Sequence, residues 1–268
     1  MFTNAELLWA FALTLIAGLS TGIGALIILT VKNPSKVFLS IGLGFSAGVM
    51  LYVSFMEILP SAIAELAKGA TPKGAQMMGV FAFFVGIGIS ALIDKLVPNE
   101  INPHELHDDR AIDVKNAAFL KKTGIFTAVA IAIHNFPEGF ATFLFALSEP
   151  NAGIVVAAAI AIHNIPEGIA VALPIYMATK SRSKAFWFSF ASGFAEPLGA
   201  FLGFLVISMI LVGGGFIGIA MAAVAGIMVY VCLDELLPAS RVYGNEHLAI
   251  LGVTAGMAVM AVSLIMLG

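Results

Sequence analysis

Residues 130–139 read AIAIHNFPEG and residues 159–168 read AIAIHNIPEG, differing only where Phe136 in the first is replaced by Ile165 in the second. Each stretch sets a His, an Asn, a Pro and a Glu inside an apolar run long enough to cross a bilayer. Polar groups at membrane depth are costly, and they persist where they pair with one another or bind something.

Composition supplies the setting for the pair. Of 268 residues, 60% are hydrophobic and 11% are charged, whereas about a quarter of a soluble domain is charged. The chain is therefore expected to be an integral membrane protein. Thirteen basic and 16 acidic residues give a net charge of −3, which indicates no nucleic-acid partner. The single Cys232 excludes an internal disulfide and a cysteine-based metal site. A cleaved leader is not expected, because no Lys or Arg precedes Lys32 and the first apolar run is too long. Nothing matches a Walker phosphate loop, so the chain itself offers no ATP site.

Apolar runs fall at 5–31, 37–67, 74–97, 120–147, 152–179, 185–211, 215–240 and 246–268. A helix crosses with about 20 residues, so the expected fold is all-α, with eight transmembrane helices in a single domain spanning 1–268. Only residues 148–151 separate the fourth and fifth runs, which predicts an antiparallel hairpin. The sizeable polar loop is 98–122.

Eight crossings put both termini on one side of the membrane. Lys32, Lys36, Lys95, Arg110, Lys115, Lys121, Lys122, Lys180, Arg182, Lys184 and Arg241 then share one face, and only Lys68 and Lys73 lie on the other. The basic face is cytoplasmic, together with the 98–122 loop, and both termini lie outside. Span four thus runs outward and span five inward, yet they carry the same motif near mid-depth. A weaker echo pairs MEILP at 56–60 on span two with DELLP at 234–238 on span seven, again in opposite directions. Such pairs suggest an inverted repeat with a site at its interface. The plainer reading is one short element duplicated without wider symmetry.

Taking His134 as zero, Glu138 lies about 40° and Asn135 about 100° around the helix axis, so the three share one wedge. His163, Asn164 and Glu167 repeat that wedge on span five. If the wedges face each other, two imidazoles, two carboxylates and two amides converge between helices four and five. Mixed nitrogen and oxygen ligands suit Zn²⁺, Fe²⁺, Mn²⁺ or Co²⁺ better than Ca²⁺ or Mg²⁺, and the lack of thiolates disfavours Cu⁺. Pro137 leaves the carbonyl of Ile133 without its helical partner, and Pro166 does the same to Ile162. Such carbonyls are tolerated where they face a cavity. Glu196, followed by Pro197 on span six, is a third mid-span acid with no basic residue in its span. Metal coordination or protonation would each relieve it. Three glutamates and two histidines could hold two ions.

Other polar residues read less sharply. Glu57, Asp234 and Glu235 are either way-stations at entrance and exit or near-interface acids in contact with water. Met56 is read as packing, with thioether ligation as the alternative. His104 and His107 either collect ions on the cytoplasmic side or do nothing specific, and His247 carries no signal. The spacings Gly18/Gly22, Gly44/Gly48 and Gly199/Gly203 permit close helix contact.

Taken together, FMEILP at 55–60, HNFPEG at 134–139, HNIPEG at 163–168, EPLGA at 196–200 and DELLP at 234–238 closely resemble the ZIP family of divalent-metal transporters. The resemblance runs over essentially the whole chain, and the twin HNxPEG pair is its most specific part. It implies eight helices, a plasma-membrane location, metal flow into the cytoplasm and, in many members, a homodimer. It also implies a two-metal centre, whose ligand positions are matched here by His134, Asn135, Glu138, His163, Asn164, Glu167 and Glu196. A rigid shift of the central hairpin against outer helices is likewise an implication of the resemblance. The chain departs from many relatives in lacking a long His-rich loop between spans three and four. Loop-based metal sensing is therefore not expected. Other branches replace the second HNxPEG, so their metal preference does not carry over.

The expected function is secondary transport of Zn²⁺ and related ions (Fe²⁺, Mn²⁺, Co²⁺, Cd²⁺) into the cytoplasm, the ion being substrate and not a resident cofactor. A metal-selective channel would use the same ligands in a continuous path. An intramembrane di-metal enzyme is less well matched, since such centres use Glu-x-x-His, and the HExxH pattern is absent too. Binding needs neutral imidazoles and ionised carboxylates, so uptake should weaken as external pH falls toward the His range. The topology is directly testable with Cys232→Ser as background. A membrane-impermeant thiol reagent added to intact cells should label Lys68→Cys and spare Lys180→Cys; the opposite pattern would invert the orientation.

Overall fold

The computed structural model describes residues 2–30, 36–96, 117–209 and 214–267. It contains eight helical segments long and apolar enough to cross a membrane: Asn4–Ile27, Ser40–Ala67, Pro72–Lys95, Thr127–Ser148, Gly153–Thr179, Arg182–Val206, Gly215–Arg241 and Glu246–Met266. These are built from α1 (Asn4–Thr30), α2 (Lys36–Val53), α3 (Leu59–Ala67), α4 (Pro72–Leu96), α5 (Ala117–Ser148) and α6 (Pro150–Thr179). They continue with α7 (Arg182–Gly193), α8 (Ala195–Met209), α9 (Gly214–Val231), α10 (Leu237–Tyr243) and α11 (Glu246–Leu267). The protein is a multi-pass, all-helical membrane protein.

Short polar residues start the helices. Thr3 and Glu6 form a reciprocal capping pair, the Thr3 N–H donating to the Glu6 carboxylate at 2.7 Å and the Glu6 N–H to Thr3 Oγ1 at 3.3 Å. Ser181 and Asn245 accept from Lys184 and Leu248 at the starts of α7 and α11. Lys180 ends α6 in the left-handed region, at φ 51°.

Prolines decide where the spans depart from regular helix. Pro60 and Pro238 carry no N–H, and their rings crowd the carbonyls of Met56 and Asp234 one turn back. Both chains respond by widening into a π-helical turn, Ser54–Ile58 and Cys232–Leu236. The Leu59 N–H then reaches Ser54 O, and the Leu237 N–H reaches Cys232 O. The MEILP and DELLP echo is therefore a structural repeat. Span six, expected as one helix over 185–211, breaks at Phe194 because Pro197 denies the Gly193 carbonyl its partner. Pro137, Pro166 and Pro174 are carried inside continuous helices. The hairpin between spans four and five is tighter than the expected 148–151, with Glu149 alone linking α5 to α6. The end of the expected 98–122 loop is already helical, α5 beginning at Ala117; residues 97–116 lie outside the described residues.

The helices pack as two groups. In one, α6 lies between α1 and α5, and α8 packs on α5. In the other, α2 packs on α11, and α9 packs on α3 and α4. The groups meet where α2 crosses α6 and α5 crosses α9. Exchanging spans one to three with six to eight, and four with five, maps these pairings onto themselves. Glycine approaches fix the register of that exchange. A Cβ on Gly168 would stand 2.0 Å from the Thr21 carbonyl oxygen, and one on Gly139 would stand 2.1 Å from that of Glu196. Gly24 likewise abuts Ile165 where Gly199 abuts Phe136, and Gly18 and Gly193 abut each other. Thr21 is thus the symmetry mate of Glu196. The wider inverted repeat holds, and the reading of a lone duplicated element falls.

This packing makes a stability prediction. A Cβ at Gly199 would meet the Phe136 oxygen at 1.9 Å, whereas Gly88 has nothing within 4 Å. Gly199→Ala should destabilise the detergent-solubilised protein by about 1–3 kcal/mol or more. Gly88→Ala should be neutral or stabilising by up to about 1 kcal/mol. Equal melting temperatures for the two variants would refute the close approach.

Candidate metal centre

The tandem motif lies where α5 and α6 face each other inside the first helix group. Asn135, Glu138, His163, Asn164, Glu167 and Glu196 are all buried, none more than 1% exposed. His134 lies on α5, its side chain outside the described residues. Across the α5–α6 interface, His163 Nε2 stands 3.0 Å from Glu138 Oε1. The two groups are thus in direct contact across the helices that carry the twin motif. This is the meeting that facing wedges predict.

The amides behave differently from that expectation. Each swings its NH₂ toward a flanking helix: Asn135 donates to the Ser192 carbonyl at 3.3 Å, and Asn164 donates to the Ala17 carbonyl at 2.9 Å. Ala17 and Ser192 are symmetry mates in the register set by the glycines. An amide has two N–H donors to satisfy in an apolar interior, and the nearest backbone acceptors lie on α1 and α7. Both Oδ1 atoms are left accepting no hydrogen bond among the described residues. Asn164 also donates to Glu196 Oε1, which ties span six to span five.

Glu167 turns toward α2, where the Ser46 hydroxyl lies 3.4 Å from Oε1 and 3.1 Å from the His163 carbonyl oxygen. Ser189 donates to the Thr21 and Gly168 carbonyls at 3.2 and 3.0 Å, bracing α7 against α1 and α6. Neither serine stands out in the sequence, since a lone Ser on an apolar helix is common. Only the mirrored register and the burial of Ser46 single it out.

Among the described residues, no three His, Cys, Asp or Glu side chains stand close enough to enclose an ion on their own. The arrangement is a spread of acid, imidazole and amide groups, with Glu138 and His163 in contact and Asn164 and Glu196 bonded. Three carboxylates are thus buried, and among the described residues no Lys or Arg side chain is buried with them. In a low-dielectric interior an ionised carboxylate needs a compensating charge or a proton.

Of the remaining residues, Glu57 is half-buried on the first π turn and bonded by Ser61 at 3.4 Å. Asp234 and Glu235 are half-buried on the second π turn. Met56, read as packing, is exposed. His104 and His107 lie outside the described residues.

Eight spanning helices arranged as an inverted repeat, with ionisable groups stored at its centre, define a membrane transporter. A family model described as "ZIP Zinc transporter" matches residues 5–111 and 98–264. The chain is 54% identical to the zinc transporter ZupT of Streptococcus mutans, over 98% of this chain and 99% of that one. It is 57% identical to ZupT of Chlorobium phaeovibrioides, over 96% and 97%, and 50% identical to ZupT of Campylobacter jejuni, over 100% and 99%. The chain belongs to the ZIP family, whose members are transporters and not enzymes.

The Asn164–Glu196 pair is testable without reference to transport. Asn164→Ala removes a hydrogen bond from the buried Glu196 carboxylate and should cost about 1.5–3 kcal/mol of stability in metal-free detergent. Adding Glu196→Ala should cost less than the sum of the single changes, with a coupling of about 0.5 kcal/mol or more. Strict additivity in thermal melts would mean that the two groups do not interact.

Proposed function

We propose that the protein is a secondary carrier that takes Zn²⁺ and related first-row divalent ions into the cytoplasm. Its ligands are drawn from His134, Asn135, Glu138, His163, Asn164, Glu167 and Glu196. The observation that carries the proposal is the burial of three carboxylates with two amide oxygens that accept no hydrogen bond among the described residues. Glu138 oxygen and His163 nitrogen, 3.0 Å apart across the two repeat helices, supply the mixed donor pair that such ions favour.

The chemistry follows from these groups. The Asn135 and Asn164 NH₂ groups are committed to backbone carbonyls, so each amide offers its oxygen to the ion. An arriving divalent ion exchanges water for carboxylate, imidazole and amide donors and cancels charge that the interior otherwise bears. The excess of basic residues on one face supports both termini lying outside. All seven groups come from one chain, so a homodimer of the kind the resemblance implies would hold two independent paths.

Uptake of ⁶⁵Zn²⁺, ⁵⁴Mn²⁺ and ⁵⁵Fe²⁺ into proteoliposomes tests the proposal. Wild-type uptake should saturate and should fall when external pH is lowered toward the His range. Glu138→Ala and Glu167→Ala should each lower uptake by about tenfold or more, with the folded fraction unchanged. Undiminished transport by both variants would remove the site from the path.

A further inference from the structure

Symmetry pairs almost every feature of the centre, and the exceptions are informative. Asn135 and Asn164 make equivalent bonds, and the two π turns are equivalent. Glu196, whose mate is Thr21, breaks the pattern, and Ser46 breaks it as well. The π-turn register (Ser54 with Cys232) carries Ser46 onto Val224, a buried apolar residue on α9. The span-five acid therefore faces a hydroxyl from the second helix group at a position whose counterpart toward span four carries only methyl groups.

Ser46 is fully buried on α2, in the second group, while its two acceptors belong to α6, in the first. By contrast, the bonds of Asn164 to Ala17 and of Asn164 to Glu196 each join two helices of the first group. A serine hydroxyl has one hydrogen, so the His163 carbonyl and the Glu167 carboxylate compete for it. With no ion bound, the hydroxyl can donate to the carboxylate and hold its orientation. When an ion engages that oxygen, the hydroxyl has the carbonyl at 3.1 Å to fall back on, and no buried donor is stranded.

We propose that Ser46 is a positioning residue for Glu167, its hydroxyl orienting the carboxylate for the incoming ion from across the interface between the two helix groups. This rests on the carrier reading above and deepens it. The bland alternative is a packing serine that bonds a neighbour's backbone, as serines in membrane helices do. That role would change the amount of folded protein or the maximal rate, and would leave ion capture alone.

Zn²⁺ uptake into proteoliposomes separates the two, with Ser46→Ala, Ser46→Thr and, as a control, Val224→Ala compared against wild type per folded protein. Ser46→Ala should raise KM about three- to tenfold and leave Vmax within about twofold. Ser46→Thr keeps the hydroxyl and should stay within about twofold of wild type on both. Val224→Ala should leave KM unchanged. A Ser46→Ala protein with wild-type KM, or a Ser46→Thr protein with the KM of Ser46→Ala, overturns the assignment. Wild type without saturable uptake would instead refute the carrier reading. Equilibrium Zn²⁺ binding to the purified chain then decides on the serine: weakened by Ser46→Ala and preserved by Ser46→Thr if it positions Glu167, equal in all three if it does not.

Discussion

Three glutamate side chains lie in the middle of an apolar helical bundle, and no Lys or Arg of the described residues is buried with them. An ionised carboxylate moved out of water loses several kcal/mol of hydration even after the protein relaxes around it, so nothing else in the fold matters as much as how these groups are held. Several neighbouring polar groups serve that end. Asn164 gives one N–H to Glu196 and another to a backbone carbonyl, Ser46 offers its hydroxyl to Glu167, and His163 stands against Glu138. None of these partners carries a fixed positive charge. The centre is polar enough to hold its acids in place.

The frame around the acids is an inverted repeat, and its register is kept by backbone-to-backbone contact. Where Gly139 meets Glu196 and Gly168 meets Thr21, no side chain fits between the helices. The glycines of the two HNxPEG motifs therefore let spans six and one approach spans four and five closely. Symmetry explains why a pair of amides reach equivalent carbonyls on α1 and α7. It also isolates the positions at which the halves differ, namely Glu196 against Thr21 and Ser46 against Val224. The scaffold is symmetric, and the donors it carries are not.

Much of this was legible in the amino-acid order. Hydropathy alone marks all eight crossings, because a membrane span has to satisfy its backbone internally and can only be helical. The doubled AIAIHN-x-PEG places acid, imidazole and amide on one wedge of each helix, and Glu138 and His163 do meet. What escaped was non-local. That Asn135 and Asn164 turn outward depends on carbonyls of Ser192 and Ala17, far away in the chain. Ser46 is one serine among many until packing brings it to Glu167. The break at Phe194 and the two π turns follow from proline, which the sequence displays, but whether a helix kinks, breaks or widens depends on the room its neighbours leave. Pro137 and Pro166 sit in unbroken helices, while Pro60 and Pro238 accompany π turns.

The one-residue link at Glu149 bears on how such a chain can be assembled from copies of itself. For a duplicated unit to emerge upside down, it must traverse the bilayer an odd number of times. Here each flanking unit contributes three traverses and each half of the hairpin contributes one. Parity is satisfied at both scales, and Glu149 is the hinge of the palindrome. A straightforward doubling of a four-traverse half would leave both copies facing the same way and could not produce this arrangement.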